Sequence, residues 1–438
     1  MKRPALGAAG LFAVGVGVWF MFPTPAMSRP NVVVIVMCSV RADQLRPAGA
    51  SVDPMPWLTE RSTQGVWFDD AWTAAPWTRP ATAAILTGQD TLSTGIADPG
   101  IEHNRRLLTQ EAVTLAEHLQ QAGYWTVGRS GNPNVSAAYG FDQGFDDFEY
   151  VGVDTVGVKV KTDGALLTSS LLDSLRNAPA DTPRFVFGLF VDAHSPVEAT
   201  TSDGAVFLIG DEPPRVGRYR AELRRLDRHL AALEQGLAEQ GMTSDNTVFV
   251  VVNDHGEGLS YPVHHGRSHG FYLFPSVTKM VWTMWGRGVP VASVPSVASQ
   301  VDVVPTVLDL LDMDPPTAVD GVSQRTAWSE PGSAPPRDTA FSATLFHGAR
   351  RAAATSSDSA CLFAFRDEDG ALNTGRQGGV PFEPGCFNRR SDPTYAEPVM
   401  RPLLARELRA WWRPPASAPT VEPEGALGDA LRALGYAE

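Results

Sequence analysis

Three short apolar runs constrain the fold of this 438-residue chain more than any other feature. They cover residues 32–37, 185–191 and 247–252, and each is rich in β-branched or aromatic residues. Runs without polar alternation are typical of parallel strands that are buried on both faces of a sheet. Between residues 28 and 312, such runs alternate with helix-like segments. The sequence therefore predicts an α/β domain with a mostly parallel central sheet flanked by helices.

The helix-like segments show the periodicity of amphipathic helices. Apolar residues recur at three- and four-residue steps from Tyr219 to Leu237, which predicts one long helix ending near Gly241. Another helix is predicted to open at Thr109 and to end at Gly123. Because these segments follow strand-like runs, we expect them to cover the two faces of the sheet.

The pattern changes after about residue 345. Residues 360–365 predict a short strand, and residues 400–412 predict a helix. We therefore expect a large domain over residues 28–345 and a small C-terminal α+β subdomain with its tail over residues 346–438.

The N-terminus has the sequence pattern of a targeting signal. Lys2 and Arg3 precede an unbroken run of apolar residues and glycines over residues 5–22. A basic region followed by such a run is typical of a secretory signal, and its length lies near that of a membrane-spanning helix. Residues 1–27 are therefore expected to be a signal peptide or an inner-membrane anchor. Both alternatives put the protein outside the cytoplasm, as a periplasmic, membrane-anchored or secreted protein.

Cysteine content and charge narrow the class of protein. The chain has only three cysteines. Export would permit a disulfide between Cys361 and Cys386, with Cys38 left over. The alternative is that all three are buried thiols.

The 36 basic and 49 acidic residues give a formal net charge of −13, which argues against nucleic acid as a partner.

Polar side chains follow each of the three strand-like runs. Cys38 follows the first, His194 comes shortly after the second, and Asp254 and His255 follow the third. The carboxyl ends of parallel strands meet at one edge of a sheet, where ligands bind. A carboxylate beside an imidazole, with His269 nearby in the chain, suits a divalent metal. The alternative is that these histidines are hydrogen-bonded structural groups.

A hydroxyl group is expected just before a helix that lies within residues 76–88. Pro80 suits the first turn of that helix, and Gly88 suits its end. Thr78 would then lie just before the N-terminus, where free N–H groups and the helix dipole favour an anion. Beside a metal, this hydroxyl could attack a phosphoryl or sulfuryl centre. The alternative is that Thr78 only caps the helix.

Several motifs, in order, carry a family resemblance. The chain resembles the sulfatases of the alkaline-phosphatase superfamily, and in particular a bacterial branch with threonine at the nucleophile position. The resemblance covers about residues 29–325. The motifs lie at residues 29–43, 75–88, 132–133, 140–146, 194–196, 253–257, 301–311 and 320–321.

The resemblance implies an alkaline-phosphatase-like sulfatase fold, a divalent metal that is usually calcium, and a set of site residues. Asp254 and His255 match metal ligands, and Cys38 stands at the position of a third. Thr78 occupies the nucleophile position. His194 and His269 match catalytic histidines that contact the substrate. Arg79 and Thr82, on the nucleophile helix, are predicted to bind the substrate.

The sequence also departs from the family pattern. Cys38 stands where the family has a metal-ligating aspartate, and a thiolate suits zinc better than calcium; manganese and magnesium are further candidates. Thr78 cannot be converted to the formylglycine of most sulfatases. Ala81 and Thr82 replace a serine and an arginine, and Gly131 falls where many members carry a catalytic lysine.

Three hypotheses for function follow. The first is an exported, metal-dependent hydrolase that acts on sulfate or phosphate esters of a small molecule or glycan, with Thr78 as nucleophile. The second is a catalytically degenerate sulfatase-fold protein that binds an anionic ligand or a partner. The third is a phosphotransferase that uses Thr78 covalently. Metal content, ester turnover and a trapped phosphothreonine discriminate among them.

Overall fold

A computed structural model describes most of the chain. The described residues are 29–96, 106–152, 161–261, 268–330, 332–346, 350–365, 384–419 and 425–433. The expected signal peptide or anchor over residues 1–27 lies outside them. Among the described residues, no helix has both the length and the apolar character needed to span a membrane.

A mixed eight-stranded sheet forms the centre of the molecule. Its strand order is β4-β3-β5-β1-β6-β7-β2-β8, and β7 is antiparallel to both of its neighbours, β6 and β2. The strands are β1 (Asn31–Met37), β2 (Val66–Trp72), β3 (Trp125–Ser130), β4 (Asp147–Tyr150), β5 (Arg184–Phe190), β6 (Thr247–Asn253), β7 (Trp282–Gly286) and β8 (Ala292–Ser299).

The three apolar runs become three adjacent parallel strands, as predicted. β1 pairs in parallel with β5 on one side and with β6 on the other. Alternate β1 side chains enter two different cores: Val34 lies in one and Ile35 in the other. Both cores must be covered by other elements because successive strand residues point to opposite faces.

Helices cover both faces of the sheet. Four short 3-10 turns, around residues 42–44, 46–48, 137–139 and 300–302, supplement them. The helices are α1 (Pro56–Ser62), α2 (Thr78–Thr87), α3 (Thr91–Thr94), α4 (Leu115–Gln121), α5 (Gly164–Leu175), α6 (Thr201–Ala205), α7 (Pro214–Glu239), α8 (Pro275–Thr278), α9 (Val303–Leu310), α10 (Arg325–Ser329), α11 (Pro402–Trp411) and α12 (Gly425–Ala433).

The predicted long helix is confirmed as α7, which buries Tyr219 and the leucines that follow it. The predicted start of α4 at Thr109 is wrong. Thr109 lies in a turn, and Thr114 caps the helix instead: its hydroxyl accepts a bond from the Glu117 N–H at 3.1 Å. The Glu117 carboxylate accepts the Thr114 N–H at 2.7 Å. This reciprocal pair satisfies two N–H groups that the helix itself leaves unpaired.

A second, antiparallel sheet forms the C-terminal part of the chain, which agrees with the predicted α+β character. Its order is β12-β11-β10-β9, and α11 packs on it through Leu404 and Leu408. The strands are β9 (Thr339–Thr344), β10 (Arg351–Ser356), β11 (Ser359–Ala364) and β12 (Gly385–Asn388). Cys361 and Cys386 lie opposite each other on β11 and β12 and form a disulfide. Cys38 is a free, buried thiol.

Candidate active site

Four adjacent parallel strands deliver polar residues to one edge of the sheet. In spatial order, β3, β5, β1 and β6 lead into Asn132, His194, Cys38 and Asp254. The side chains of all four residues are buried. The order of the strands therefore collects chemical groups from four distant parts of the chain, as the strand-end argument predicted for three of them.

The turn after β1 brings its backbone to Asp254. Ser39 has a φ of 60°, in the left-handed region that few non-glycine residues adopt. This conformation directs the Ser39 N–H to Asp254 Oδ1 at 3.0 Å, and the His255 N–H donates to the same oxygen at 2.7 Å. One carboxylate oxygen is thus fixed by two backbone donors, while the other faces the site.

The N-terminus of α2 presents Thr78 to this edge. Thr78 is the first helical residue, so the helix begins one residue earlier than predicted, and Gly88 ends the helix at a φ of 68°. The Thr78 hydroxyl lies 3.2 Å from His255 Nε2 and 3.5 Å from Cys38 Sγ. Asn132 Nδ2 donates to it at 3.3 Å. The predicted nucleophile therefore lies among the predicted metal ligands.

The three predicted metal ligands come together. The donor atoms of Cys38, Asp254 and His255 all lie within 4.8 Å of one another. His255 Nδ1 donates to the Gly256 carbonyl at 2.7 Å, so its Nε2 carries a lone pair. That lone pair faces Asp254 Oδ2 at 3.4 Å, and Oδ2 has no hydrogen-bond partner among the described residues.

Two buried acceptors that face each other at 3.4 Å fit a cation between them. The donor set of one sulfur, one oxygen and one nitrogen is typical of a catalytic zinc, which takes three protein ligands and keeps a fourth position open. Calcium binds six to eight oxygen ligands. The sequence also offers Asp43 as a substitute for the aspartate that Cys38 replaces, but the Asp43 carboxylate pairs with Arg41 at 2.6 Å.

Burial disfavours the charged form of each of the three ligands. It raises the pKa of the Cys38 thiol, with a further contribution from Asp254. It also raises the pKa of Asp254, and it lowers the pKa of His255 with help from the charge of His269. A cation that binds here favours the deprotonated thiol and carboxylate, and so acts against these shifts.

Three imidazoles form a row beside Thr78. The ring centres of His255 and His269 lie 4.3 Å apart, and those of His269 and His194 lie 5.1 Å apart. Burial lowers the pKa of His194 to about 3, so this ring is neutral at physiological pH. His269 Nδ1 lies 3.2 Å from Glu257 Oε2. Burial alone would raise the pKa of Glu257. Opposing contributions, led by the charge of His269, together outweigh burial and lower this pKa, which keeps the carboxylate ionised.

The two predicted substrate-binding residues lie in different surroundings. Arg79 is buried, donates to Asn134 Oδ1 at 2.6 Å and stacks on the Tyr139 ring at 3.6 Å. Thr82 lies one turn after Thr78 on α2, on the same helix face. Its buried hydroxyl has no partner within the described part of the chain. Substrate contact remains a prediction for both residues.

Sequence reasoning assigned no role to Asn132, and it considered Glu257 only as a substitute for the missing metal-ligating carboxylate. Asn132 contacts the Thr78 hydroxyl, and Glu257 orients His269. The signal for Asn132 was its place after a strand, but β3 contains Gly128 and Arg129 and does not read as a continuous apolar run. Glu257 adjoins the Asp254-His255 motif, and only the fold shows that it pairs with a histidine.

Comparison with known proteins identifies the family. The Sulfatase family model matches residues 30–313. N-acetylgalactosamine-6-sulfatase of Canis lupus familiaris is 25% identical over 372 residues, which cover 72% of this chain and 67% of the relative. The enzyme of the same name from Homo sapiens is 25% identical over 68% of this chain and 65% of the relative. The chain belongs to the sulfatase family, and this membership makes it a sulfuric ester hydrolase by class.

Solved structures show the same fold. One contains its substrate D-glucosamine-2-N,6-O-disulfate; it is 16% identical, covers 83% of this chain and 92% of that chain, and has a TM-score of 0.69. The phosphonate monoester hydrolase of Agrobacterium radiobacter is 18% identical. The match covers 83% of this chain and 90% of that enzyme, with a TM-score of 0.62. The alkaline-phosphatase-like sulfatase fold expected from the sequence is therefore confirmed.

Proposed function

We propose that this protein hydrolyses sulfate esters with Thr78 as the nucleophile and with a divalent cation held by Cys38, Asp254 and His255. The observation that carries the proposal is the position of the Thr78 hydroxyl. It lies at a helix N-terminus, 3.2 Å from His255 Nε2 and 3.5 Å from Cys38 Sγ. A hydroxyl in contact with two metal ligands would meet the cation that they bind.

The cation is expected to be zinc rather than calcium, because one ligand is a sulfur and the set has only three members. When bound, it supplies positive charge that favours the ionised hydroxyl of Thr78 and the charge that develops on the ester oxygens. The protein supplies the ligands in a fixed arrangement, since backbone N–H groups hold Asp254 Oδ1 and the Gly256 carbonyl holds His255 Nδ1.

The reaction takes two steps. In the first, Thr78 Oγ1, already ionised after its hydroxyl proton has left to solvent, bonds to sulfur, the bond from sulfur to the ester oxygen breaks, and His269 gives a proton to the departing alcohol. Glu257 holds the ring for this transfer. In the second, His269 takes a proton from water, the water oxygen bonds to sulfur, and Thr78 Oγ1 departs with its electron pair. The neutral His194 ring serves as a hydrogen-bonding partner for the substrate.

The substrate class proposed is a sulfated small molecule or glycan outside the cytoplasm. The relatives named above are sulfatases of an N-acetylgalactosamine sulfate, which favours a sulfated sugar over an aryl sulfate as the natural substrate. The disulfide between Cys361 and Cys386 favours export, because such bonds persist in oxidising compartments. Residues 1–27 would direct that export as a signal peptide or anchor.

An ester panel tests the proposal. We would assay the purified protein on an aryl sulfate, a phosphate monoester and a phosphonate monoester, each with calcium, magnesium, manganese or zinc. The matched control is Thr78→Ala. We expect the aryl sulfate to be hydrolysed best with zinc and turnover to be lost in Thr78→Ala. Preference for a phosphorus ester would change the substrate class, and full activity of Thr78→Ala would exclude Thr78 as the nucleophile.

A further inference from the structure

Asn132 contacts the reacting oxygen of the proposed mechanism. Its side chain is fully buried, and Nδ2 lies 3.3 Å from Thr78 Oγ1 and 3.7 Å from Cys38 Sγ. Its backbone is held as well, since the Asn132 N–H donates to Ser130 Oγ at 3.1 Å and the Ser130 hydroxyl donates to the Asn132 carbonyl at 2.9 Å. The amide is therefore fixed where the charge on Thr78 changes during reaction.

The direction of this amide follows from its other contacts. Asn132 Oδ1 accepts the Asn134 N–H at 3.0 Å and the Asn134 side-chain amide at 3.2 Å. Because these two donors take the oxygen, the NH₂ group must face Thr78. A flipped amide would leave both Asn134 donors facing an NH₂ group instead of an acceptor.

Arg79 fixes the second amide in turn. Its guanidinium donates to Asn134 Oδ1 at 2.6 Å, and it stacks on the Tyr139 ring at 3.6 Å. With its oxygen turned toward Arg79, Asn134 directs its own NH₂ group to Asn132. A chain of three oriented groups thus runs from the buried guanidinium to the Thr78 hydroxyl.

We propose that Asn132 is a catalytic residue that donates a hydrogen bond to Thr78 Oγ1 as this oxygen leaves sulfur in the second step, and that Asn134 and Arg79 are its positioning residues. The inference rests on the proposed function of Thr78. In that step water bonds to sulfur and the sulfur–Oγ1 bond breaks, so negative charge appears on Oγ1. A donor already aimed at this oxygen stabilises the charge without reorganisation.

If Asn132 is catalytic, its loss slows the two steps to different extents. A purely structural role would not distinguish between the steps. In the second step Oγ1 gains negative charge, so loss of the donor slows it. In the first step Oγ1 loses negative charge as it bonds to sulfur, and loss of the donor there has a smaller effect. Asn132→Leu should therefore accumulate the ester on Thr78, because that ester forms faster than it breaks down.

The test is rapid-mixing and steady-state kinetics of Asn132→Leu on an aryl sulfate, with zinc content and thermal unfolding measured in parallel. We expect kcat to fall about 100-fold, the loss typical of one removed donor to a charged oxygen. We also expect kcat/KM to fall much less, and a burst of the aryl alcohol to precede the steady state. An equal fall of kcat and kcat/KM without a burst, or unchanged kinetics, would overturn the inference.

Two further variants keep the test specific. Asn134→Asp retains the acceptor for Arg79 but removes the NH₂ donor that holds Asn132 Oδ1; we expect it to give the same burst. Asn31→Leu removes an amide at the opposite end of β1, where Nδ2 donates to the Asn246 carbonyl at 3.3 Å, and should give no burst. Turnover that survives in Thr78→Ala would refute the nucleophile itself, whereas loss there with normal Asn132→Leu kinetics would refute only this inference.

Discussion

At the residue scale, Cys38 is expected to decide which cation the proposed site prefers. Its sulfur is the soft member of a set completed by Asp254 and His255. We expect Cys38→Asp to bind calcium or magnesium more tightly and zinc less tightly, because a carboxylate is a hard ligand. A tenfold change in each dissociation constant corresponds to about 1.4 kcal/mol. Isothermal titration with each metal measures both changes.

The comparison variant for this prediction is Cys38→Ser, which is close in size but a poor ligand. It should lose affinity for zinc without a gain for calcium. If Cys38→Ser binds zinc as tightly as the unaltered protein does, then the sulfur is not a ligand and the three-residue site is wrong.

Glu257 is expected to act through His269. The carboxylate lies 3.2 Å from His269 Nδ1, and both side chains are buried. In Glu257→Gln the amide no longer stabilises a protonated ring, so proton transfer to the departing alcohol should weaken. We expect kcat to fall about 10- to 100-fold, with the larger loss for alcohols that leave poorly.

The measurement is a series of aryl sulfates whose alcohols differ in acidity. His269→Asn is the reference, because it removes the proton donor outright and should show the same steep dependence. If the loss in Glu257→Gln is equal across the series, Glu257 has no part in proton transfer.

At the element scale, Asp70 joins the large sheet to the small one. It lies on β2, and its carboxylate pairs with Lys279 at 2.7 Å and with Arg389, just after β12, at 3.0 Å. We expect Asp70→Asn to lower the free energy of unfolding by about 3 kcal/mol, because two cations then lose their shared partner. Denaturant unfolding at neutral pH measures this loss.

The same ion pairs predict a pH dependence. Burial alone would raise the pKa of Asp70. The hydrogen bonds and charges of Arg389 and Lys279 together outweigh burial and lower this pKa below its usual value of 3.8. A lowered carboxyl pKa contributes stability above the unfolded value, and this stability is lost as pH falls through the folded value. The difference between the unaltered protein and Asp70→Asn should therefore be full at pH 7 and shrink below about pH 4. A difference that grows on acidification would contradict this assignment.

Element type was predictable where one physical signal dominated. Val34 and its neighbours on β1 are apolar on both faces, which is typical of a parallel strand that is buried on both sides. The start of α4 was not predictable from periodicity, because Thr109 and Thr114 are both suitable caps and the capping pair with Glu117 decides between them. Asn132 was missed for a related reason: its role depends on contacts between strands far apart in the sequence.

At the scale of the whole molecule, the disulfide is a stabilising link within the small sheet. Cys361 and Cys386 are separated by 25 residues and pair across β11 and β12. Closing a loop of this length restricts the unfolded chain, and its loss typically costs about 3 kcal/mol. We expect the double variant Cys361→Ala/Cys386→Ala to unfold at a lower denaturant concentration, because its free energy of unfolding should be about 3 kcal/mol smaller.

Reductant gives the matched control. It should destabilise the unaltered protein and leave the double variant unchanged. If reductant shifts both proteins equally, the two cysteines are not bonded, and the support that they give to export is lost.

The central claim is that the hydroxyl of Thr78 attacks the sulfate ester. The most direct measurement is a single turnover of an aryl sulfate by the zinc-loaded protein, quenched with acid at a series of times and followed by peptide mass mapping. The claim predicts a sulfated peptide that contains Thr78, which appears with the aryl alcohol and decays as sulfate is released. Complete turnover with Thr78 unmodified at every time, or with the sulfate on another residue, would contradict it.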